Sequence, residues 1–272
     1  RDDCGEGGGV HSRGRALNPS AERNPSGEGT TIGIFEHHGA SIHYEARGEG
    51  FPVLLIAPGG MRSAIPFWER GPWNPIEELS ARYRVIAMDQ RNAGESKAPV
   101  HGGDGWHTYT ADQLALMDHL GVDRFHVLGM CIGGPYSMGL IQASPARVPS
   151  AVLIQPIGLD GNRAAFYEMF DGWADELRAT SHSAVADREW TRFRSNMYDG
   201  DFLFNVDRDF VRACQTPLLV LAGNDLYHPA SISREVAQLA PHAQLIQRWK
   251  EAPDVDAAKR QIVSFLARHD PS

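Results

Sequence analysis

Leu128-Gly129-Met130-Cys131-Ile132-Gly133-Gly134 is the stretch on which the reading of this chain turns. The apolar run Phe125-His126-Val127-Leu128 enters it, and a helical pattern over 132–142 leaves it. Glycines stand two residues before and two after a cysteine. A tight strand-to-helix turn needs such small neighbours, because Cβ atoms on either side of a strained nucleophile would collide. The turn sets the thiol at a helix N-terminus, where unpaired N–H groups and the helix dipole favour thiolate over thiol. In a chain with 28 glycines the bare G-x-C-x-G pattern is weak, and the strand before it and the helix after it supply the specificity. The competing reading is a buried structural cysteine in a glycine-rich turn.

Outward from this turn, short apolar runs alternate with helical patterns. Thr31–His37 and 41–47 read as two strands joined at His38-Gly39-Ala40. Val53-Leu54-Leu55-Ile56-Ala57, Arg84-Val85-Ile86-Ala87-Met88, the run before Cys131 and Ala151-Val152-Leu153-Ile154 have the length and composition of buried parallel strands. Leu218-Leu219-Val220-Leu221 and Ala243-Gln244-Leu245-Ile246 follow late in the chain. Helical patterns fall at 110–120, 132–142, 231–239 and 255–267. The expected fold is therefore α/β, a mostly parallel eight-stranded sheet flanked by helices. Ligands in such sheets bind at the carboxyl ends of the strands, so chemistry is sought just after each run. The aromatic, helix-like segment between Gln155 and Pro217 predicts a small helical lid over about 159–215, with two ordinary crossover helices as the alternative. Residues 1–29, rich in Gly, Ser, Pro, Asn and charge, predict a flexible tail ahead of one domain at 30–272. Cys4 and His11 fall in that tail and are poor candidates for catalysis.

Composition narrows the function classes. The 272 residues are 42% hydrophobic and 22% charged, an ordinary globular balance. The net charge is −8 with no Lys/Arg cluster, which argues against nucleic acid or an anionic membrane as partner. Three cysteines without a C-x-x-C pair favour a reducing compartment. No run is long enough to span a bilayer and no apolar signal-type stretch is seen, so the expected location is the cytoplasm. No G-x-G-x-x-G opens a nucleotide-binding turn, and His37, His38 and His43 form no convincing metal constellation, so neither cofactor nor metal is expected. The expected partner is a small-molecule substrate, with a homodimer left open.

Several landmarks carry a resemblance. Leu54-Leu55-Ile56-Ala57-Pro58-Gly59-Gly60-Met61 resembles the segment after the third strand of α/β-hydrolases, with Pro58 where that family usually has histidine. Asp89-Gln90-Arg91-Asn92-Ala93-Gly94-Glu95-Ser96 is similar to its D-x-R-G-x-G-x-S signature, with Asn92 for a glycine. From about 35 to 266 the chain thus resembles the α/β-hydrolase superfamily, and a cysteine at the elbow resembles the arrangement in dienelactone hydrolases. The resemblance implies an oxyanion hole from the N–H groups of Ile132 and Gly60 (or Met61), and Asp225 as the acid. The family's histidine slot, the stretch after Leu245-Ile246, holds Gln247-Arg248-Trp249-Lys250 and no histidine.

The base must then come from elsewhere. His228, in the loop that also carries Asp225, is the first candidate, and His107 is the second. Three residues is a short span for one side chain to bridge, so Asp160 stands as an alternative acid. His126 reads as a core residue of its strand. Cys131, His228 and Asp225 imply a hydrolase that cleaves an ester, lactone or thioester of a small molecule through an acyl-enzyme. The alternative is an altered hydrolase scaffold that binds a small molecule or works as a lyase.

Overall fold

The computed structural model describes residues 29–271 and, as backbone alone, the pair 22–23. Each of the eight expected runs forms a strand: β2 (Thr31–His37), β3 (Ala40–Arg47), β4 (Phe51–Ile56), β5 (Tyr83–Met88), β6 (His126–Met130), β7 (Ala151–Ile154), β8 (Leu218–Leu221) and β9 (Ala243–Ile246). A two-residue strand, β1 (Glu22–Arg23), pairs antiparallel with β2 and brings the sheet to nine, in the order β1-β2-β3-β5-β4-β6-β7-β8-β9. Of the expected 1–29 tail, 22–23 form this strand, Gly29 leads into β2, and the rest lies outside the described residues. Strands β1, β2, β3 and β5 meet antiparallel, and every pairing from β5 to β9 is parallel.

The uninterrupted apolar runs follow from burial on both faces. Leu54 and Ile56 of β4 pack, with Val127, Leu153 and Val220, into one core cluster, against helices α2 (Trp106–His119), α3 (Gly133–Ala143) and α7 (Ala230–Leu239). Their neighbours Val53 and Leu55 join Leu128, Val152 and Leu219 in a second cluster, against α1 (Pro75–Ser80) and α8 (Asp254–Arg268). A polar residue on either face would lie in a core. Strand β6 sits between β4 and β7, near the middle of the sheet, and the residue after it is Cys131.

Helix α2 begins at Trp106, four residues before the sequence pattern begins. Its first turn, Trp-His-Thr-Tyr, already buries Trp106 and Tyr109 at i, i+3 spacing, and the Gly105 N–H at its start donates to Thr108 Oγ1 at 3.2 Å. Between β7 and β8 lie α4 (Arg163–Thr180), α5 (Asp187–Tyr198) and the short α6 (Arg208–Ala213). The first two reach back to the loops that follow β4 and β5. Trp173 Nε1 donates to the Asn92 carbonyl at 3.1 Å, Arg62 Nε donates to Glu176 at 2.9 Å, and the Tyr198 hydroxyl donates to Met61 Sδ at 3.4 Å.

Asp89 is the hub of its signature. One carboxylate oxygen accepts from the Ile65 N–H at 2.7 Å, and the other accepts from the Glu95 N–H at 2.8 Å and faces His43 Nδ1 at 3.1 Å. Asp89 therefore braces the loops after β4 and β5. Among the described residues no helix is long and apolar enough to cross a membrane.

Two glycines hold the turn after β6. A Cβ on Gly129 would stand 2.1 Å from the Gly133 carbonyl oxygen, and one on Gly133 would stand 2.6 Å from that of Ile56. Backbone has to move in either case. Gly129→Ala is expected to cost ~3 kcal/mol in urea unfolding. Gly172→Ala, at an exposed position of α4 with nothing within 4 Å of the new methyl, is expected to add roughly 0.5–1 kcal/mol.

Candidate active site

Cys131 has φ +62°, the left-handed region that a side chain rarely enters, and it is held there by its backbone. Its N–H donates to the Ile154 carbonyl at 2.9 Å, and its carbonyl accepts from the N–H groups of Gly134 at 3.0 Å and Ile157 at 3.2 Å. These bonds tie the end of β6 to the end of β7 and to the first turn of α3. The Cys131 side chain is half-buried and packs against both core clusters.

The loop after β8 brings His228 to it. Asp225 Oδ1 accepts from three donors: the N–H groups of Tyr227 and His228, each at 3.1 Å, and His228 Nδ1 at 2.7 Å. An aspartate that closes its own turn folds the third residue onward back against its carboxylate. A span of three residues is therefore sufficient, and the short spacing that pointed to Asp160 is no obstacle. Asp160 is engaged elsewhere, accepting from Ser231 Oγ at 2.5 Å at the start of α7. His107 is exposed in the first turn of α2, with its ring 3.4 Å from Thr108 Oγ1. His126 is fully buried between Ser150 and Asp270.

With Nδ1 committed to Asp225, Nε2 of His228 is turned inward. It is buried without a partner of hydrogen-bonding geometry and lies beside the Cys131 sulfur, close enough for each group to shift the other's titration. Burial pushes the Cys131 thiol up. The His228 imidazolium and the N–H groups of Gly59 and Ile132 overcome it and bring the pKa below the ordinary 9.0. For His228, burial pushes down, but the Cys131 thiolate and the Asp225 carboxylate prevail and raise it. Burial also opposes ionisation of Asp225, yet His228 and Lys250 hold its pKa below the usual carboxylate value. The His228 imidazolium thus favours ionisation of the groups on either side of it, the Cys131 thiol and the Asp225 carboxyl.

Three contributors are not visible in the sequence. The Gly59 N–H joins that of Ile132 at the Cys131 sulfur, while Gly60, expected as an oxyanion donor, lies beneath the Met169 thioether of α4. Lys250 lies in the stretch where the family resemblance placed a histidine. Its Nζ sits 3.8 Å from Asp225 Oδ2 and also bonds Asn224 Oδ1. Trp249 is buried beside it, donating to the Ala222 carbonyl at 2.8 Å. That stretch thus supplies a cation behind the acid. Among the described residues no cluster of three or more His, Cys, Asp or Glu side chains is placed to hold a metal ion.

Comparison with known proteins gives a consistent picture. The family described as the alpha/beta hydrolase fold matches residues 52–196. RutD of Azorhizobium caulinodans, provisionally named a carbamate hydrolase, is 36% identical over 121 residues, which are 44% of this chain and 43% of that one. The match thus spans less than half of that relative. The 2-hydroxymuconate semialdehyde hydrolase of Pseudomonas putida is 26% identical over 258 residues, covering 82% of this chain and 90% of its own. The enol-lactonase of Burkholderia xenovorans superposes with a TM-score of 0.65 at 22% identity, over 86% of this chain and 99% of that chain.

Alkylation of Cys131 by iodoacetamide follows its thiolate, so the midpoint of the rate against pH is expected below 9.0. His228→Ala leaves only two N–H groups against burial and should move that midpoint upward. Asp225→Asn weakens the imidazolium and should fall between. Identical midpoints in all three proteins would show that no such pairing exists.

Proposed function

Because the chain belongs to the α/β-hydrolase fold family, we propose that it hydrolyses a carboxylic ester, lactone or thioester of a small molecule, with Cys131 as nucleophile. The observation that carries this reading is the Cys131 thiol at a left-handed turn with the Asp225-oriented imidazole of His228 beside it. The cysteine at the elbow is the arrangement of dienelactone hydrolases. The curated relatives named above bear hydrolase names, which supports the general reaction class.

In this reading the Cys131 thiolate adds to the carbonyl carbon, and the carbonyl oxygen takes the charge. Backbone N–H groups of Ile132 and of the Gly59–Gly60 turn receive that oxyanion, in fixed positions that need no rearrangement as charge develops. Collapse breaks the carbon–oxygen or carbon–sulfur bond. The leaving group takes the Nε2 proton of His228, and a thioester remains on Cys131. Water then attacks the thioester and gives one proton to His228, and the second tetrahedral adduct expels the thiolate with the free acid. Asp225 keeps the proton of His228 on Nδ1 and so leaves Nε2 to work.

A thiolate leaves a tetrahedral adduct more readily than an amine does, so esters with good leaving groups, enol-lactones and thioesters suit the site better than amides. Helices α4 and α5 act as the lid of the site in this reading, with Met169 and Tyr198 over the oxyanion loop.

A panel of aryl esters and lactones tests the proposal. Cys131→Ala and His228→Ala should each lower kcat by ~10³-fold or more, and the double variant should lose little beyond either single one, because the residues act as a unit. A mass increase equal to the acyl group should be found on the Cys131 peptide after rapid acid quenching. Full turnover by Cys131→Ala would overturn the reading, and retained turnover in His228→Ala would remove the base from it.

A further inference from the structure

Lys250 stands after β9, and its side chain is bound to the loop that carries Asp225 and His228. Nζ donates to Asn224 Oδ1 and lies 3.8 Å from Asp225 Oδ2, so one cation meets two consecutive residues of that loop. Its own end is secured by its neighbour. Trp249 is 2% exposed, donates to the Ala222 carbonyl at 2.8 Å and presents its ring 5.6 Å from Nζ. The Ala222 N–H in turn donates to the Ile246 carbonyl at 2.9 Å, which joins the ends of β8 and β9.

The loop needs such a hold, because it lies at the surface. Leu226 is 61% exposed and the Asp225 side chain 46%. Asp225 Oδ1 is filled by its three donors from within the loop, which leaves Oδ2 for a partner from outside. On the opposite side Asn162, just ahead of α4, donates from Nδ2 to the Leu226 carbonyl at 2.6 Å. Lys250 is the matching anchor on the β9 side. A part-exposed ion pair contributes little to folding stability on its own. Here Trp249 and Asn224 already order the lysine, so the contact sets the direction of the carboxylate on which the His228 ring depends. Arg248, which lines the same hollow as Lys250, Glu251 and Asp254, is turned to Asp254 at 3.4 Å.

We propose that Lys250 is a positioning residue of the Cys131 site: by clamping Asn224 and Asp225 from the β9 side, it holds the Asp225 carboxylate in the orientation that keeps the His228 ring beside Cys131. This rests on the reading of Cys131, His228 and Asp225 as one site, and the experiment separates the two.

Alkylation of Cys131 by iodoacetamide as a function of pH reads the site without a substrate. Lys250→Met, which keeps the length of the side chain and removes its charge, should move the midpoint upward by less than Asp225→Asn does. Added to Asp225→Asn it should move the midpoint no further, because the carboxylate that Lys250 holds is gone. Arg248→Met takes a like charge from the same hollow and should leave the midpoint in place. Thermal melting confirms that the variants are folded. A level or downward midpoint in Lys250→Met, an equal shift in Arg248→Met, or a full further shift on top of Asp225→Asn would overturn the proposal while leaving the site intact. An unmoved midpoint in Asp225→Asn would instead overturn the pair itself, and the clamp with it. With an aryl ester that is turned over, Lys250→Met should lower kcat about 3-fold with KM level, and a change confined to KM would overturn the proposal. Turnover by Cys131→Ala would overturn the nucleophile and leave the clamp to be judged by alkylation.

Discussion

The structure depends on one strained residue. Cys131 occupies the left-handed region at the end of β6, and its neighbours are arranged so that it has no other choice. Its amide is taken by Ile154 and its carbonyl by Gly134 and Ile157. Gly129 and Gly133 lie so close to backbone that neither could carry a side chain without displacement. A strain of order 1–3 kcal/mol persists only where the surroundings over-determine it. Here a central strand, its β7 neighbour and the first turn of α3 do so together. The same bonds that impose the strain hold Cys131 two residues ahead of α3.

A second constraint comes from a loop that organises itself. Asp225 uses one oxygen to close its own turn and to hold the His228 ring, so backbone and side chain are positioned by the same carboxylate. Asp225 and His228 thus pair within one four-residue segment. The stretch after β9, where the family resemblance placed a histidine, carries Trp249, which donates to the Ala222 carbonyl, and Lys250, whose charge adds to that of His228 in lowering the Asp225 pKa.

The helices between β7 and β8 meet the same end of the sheet. Met169 lies over Gly60, Tyr198 reaches Met61, and Trp173 binds the Asn92 carbonyl, so α4 and α5 rest on the loops that follow β4 and β5. The lower effective dielectric around buried side chains strengthens electrostatic contacts among them. It also explains why Cys131 and His228 shift each other's titration despite the burial that opposes both charges.

Much of this was legible in the sequence because it depends on local rules. Apolar runs buried on both faces, alternating with helical patterns, specified eight strands and a mostly parallel sheet. Glycines two residues either side of Cys131 specified the turn, since close backbone approach excludes any side chain there. Asp225 and His228 could be named from their place after an apolar run. Their pairing could not, because it is made by an aspartate closing its own turn, and spacing along the chain argued against it. The start of α2 at Trp106 was within reach of the pattern, since Trp106 and Tyr109 stand three apart and are both buried, with a Gly105–Thr108 hydrogen bond at the boundary. The Gly59 N–H at the sulfur and Lys250 beside Asp225 were decided by tertiary structure alone. Each depends on segments far apart in sequence meeting at one end of the sheet, and composition and periodicity carry no record of which backbone amide or charge will face which atom.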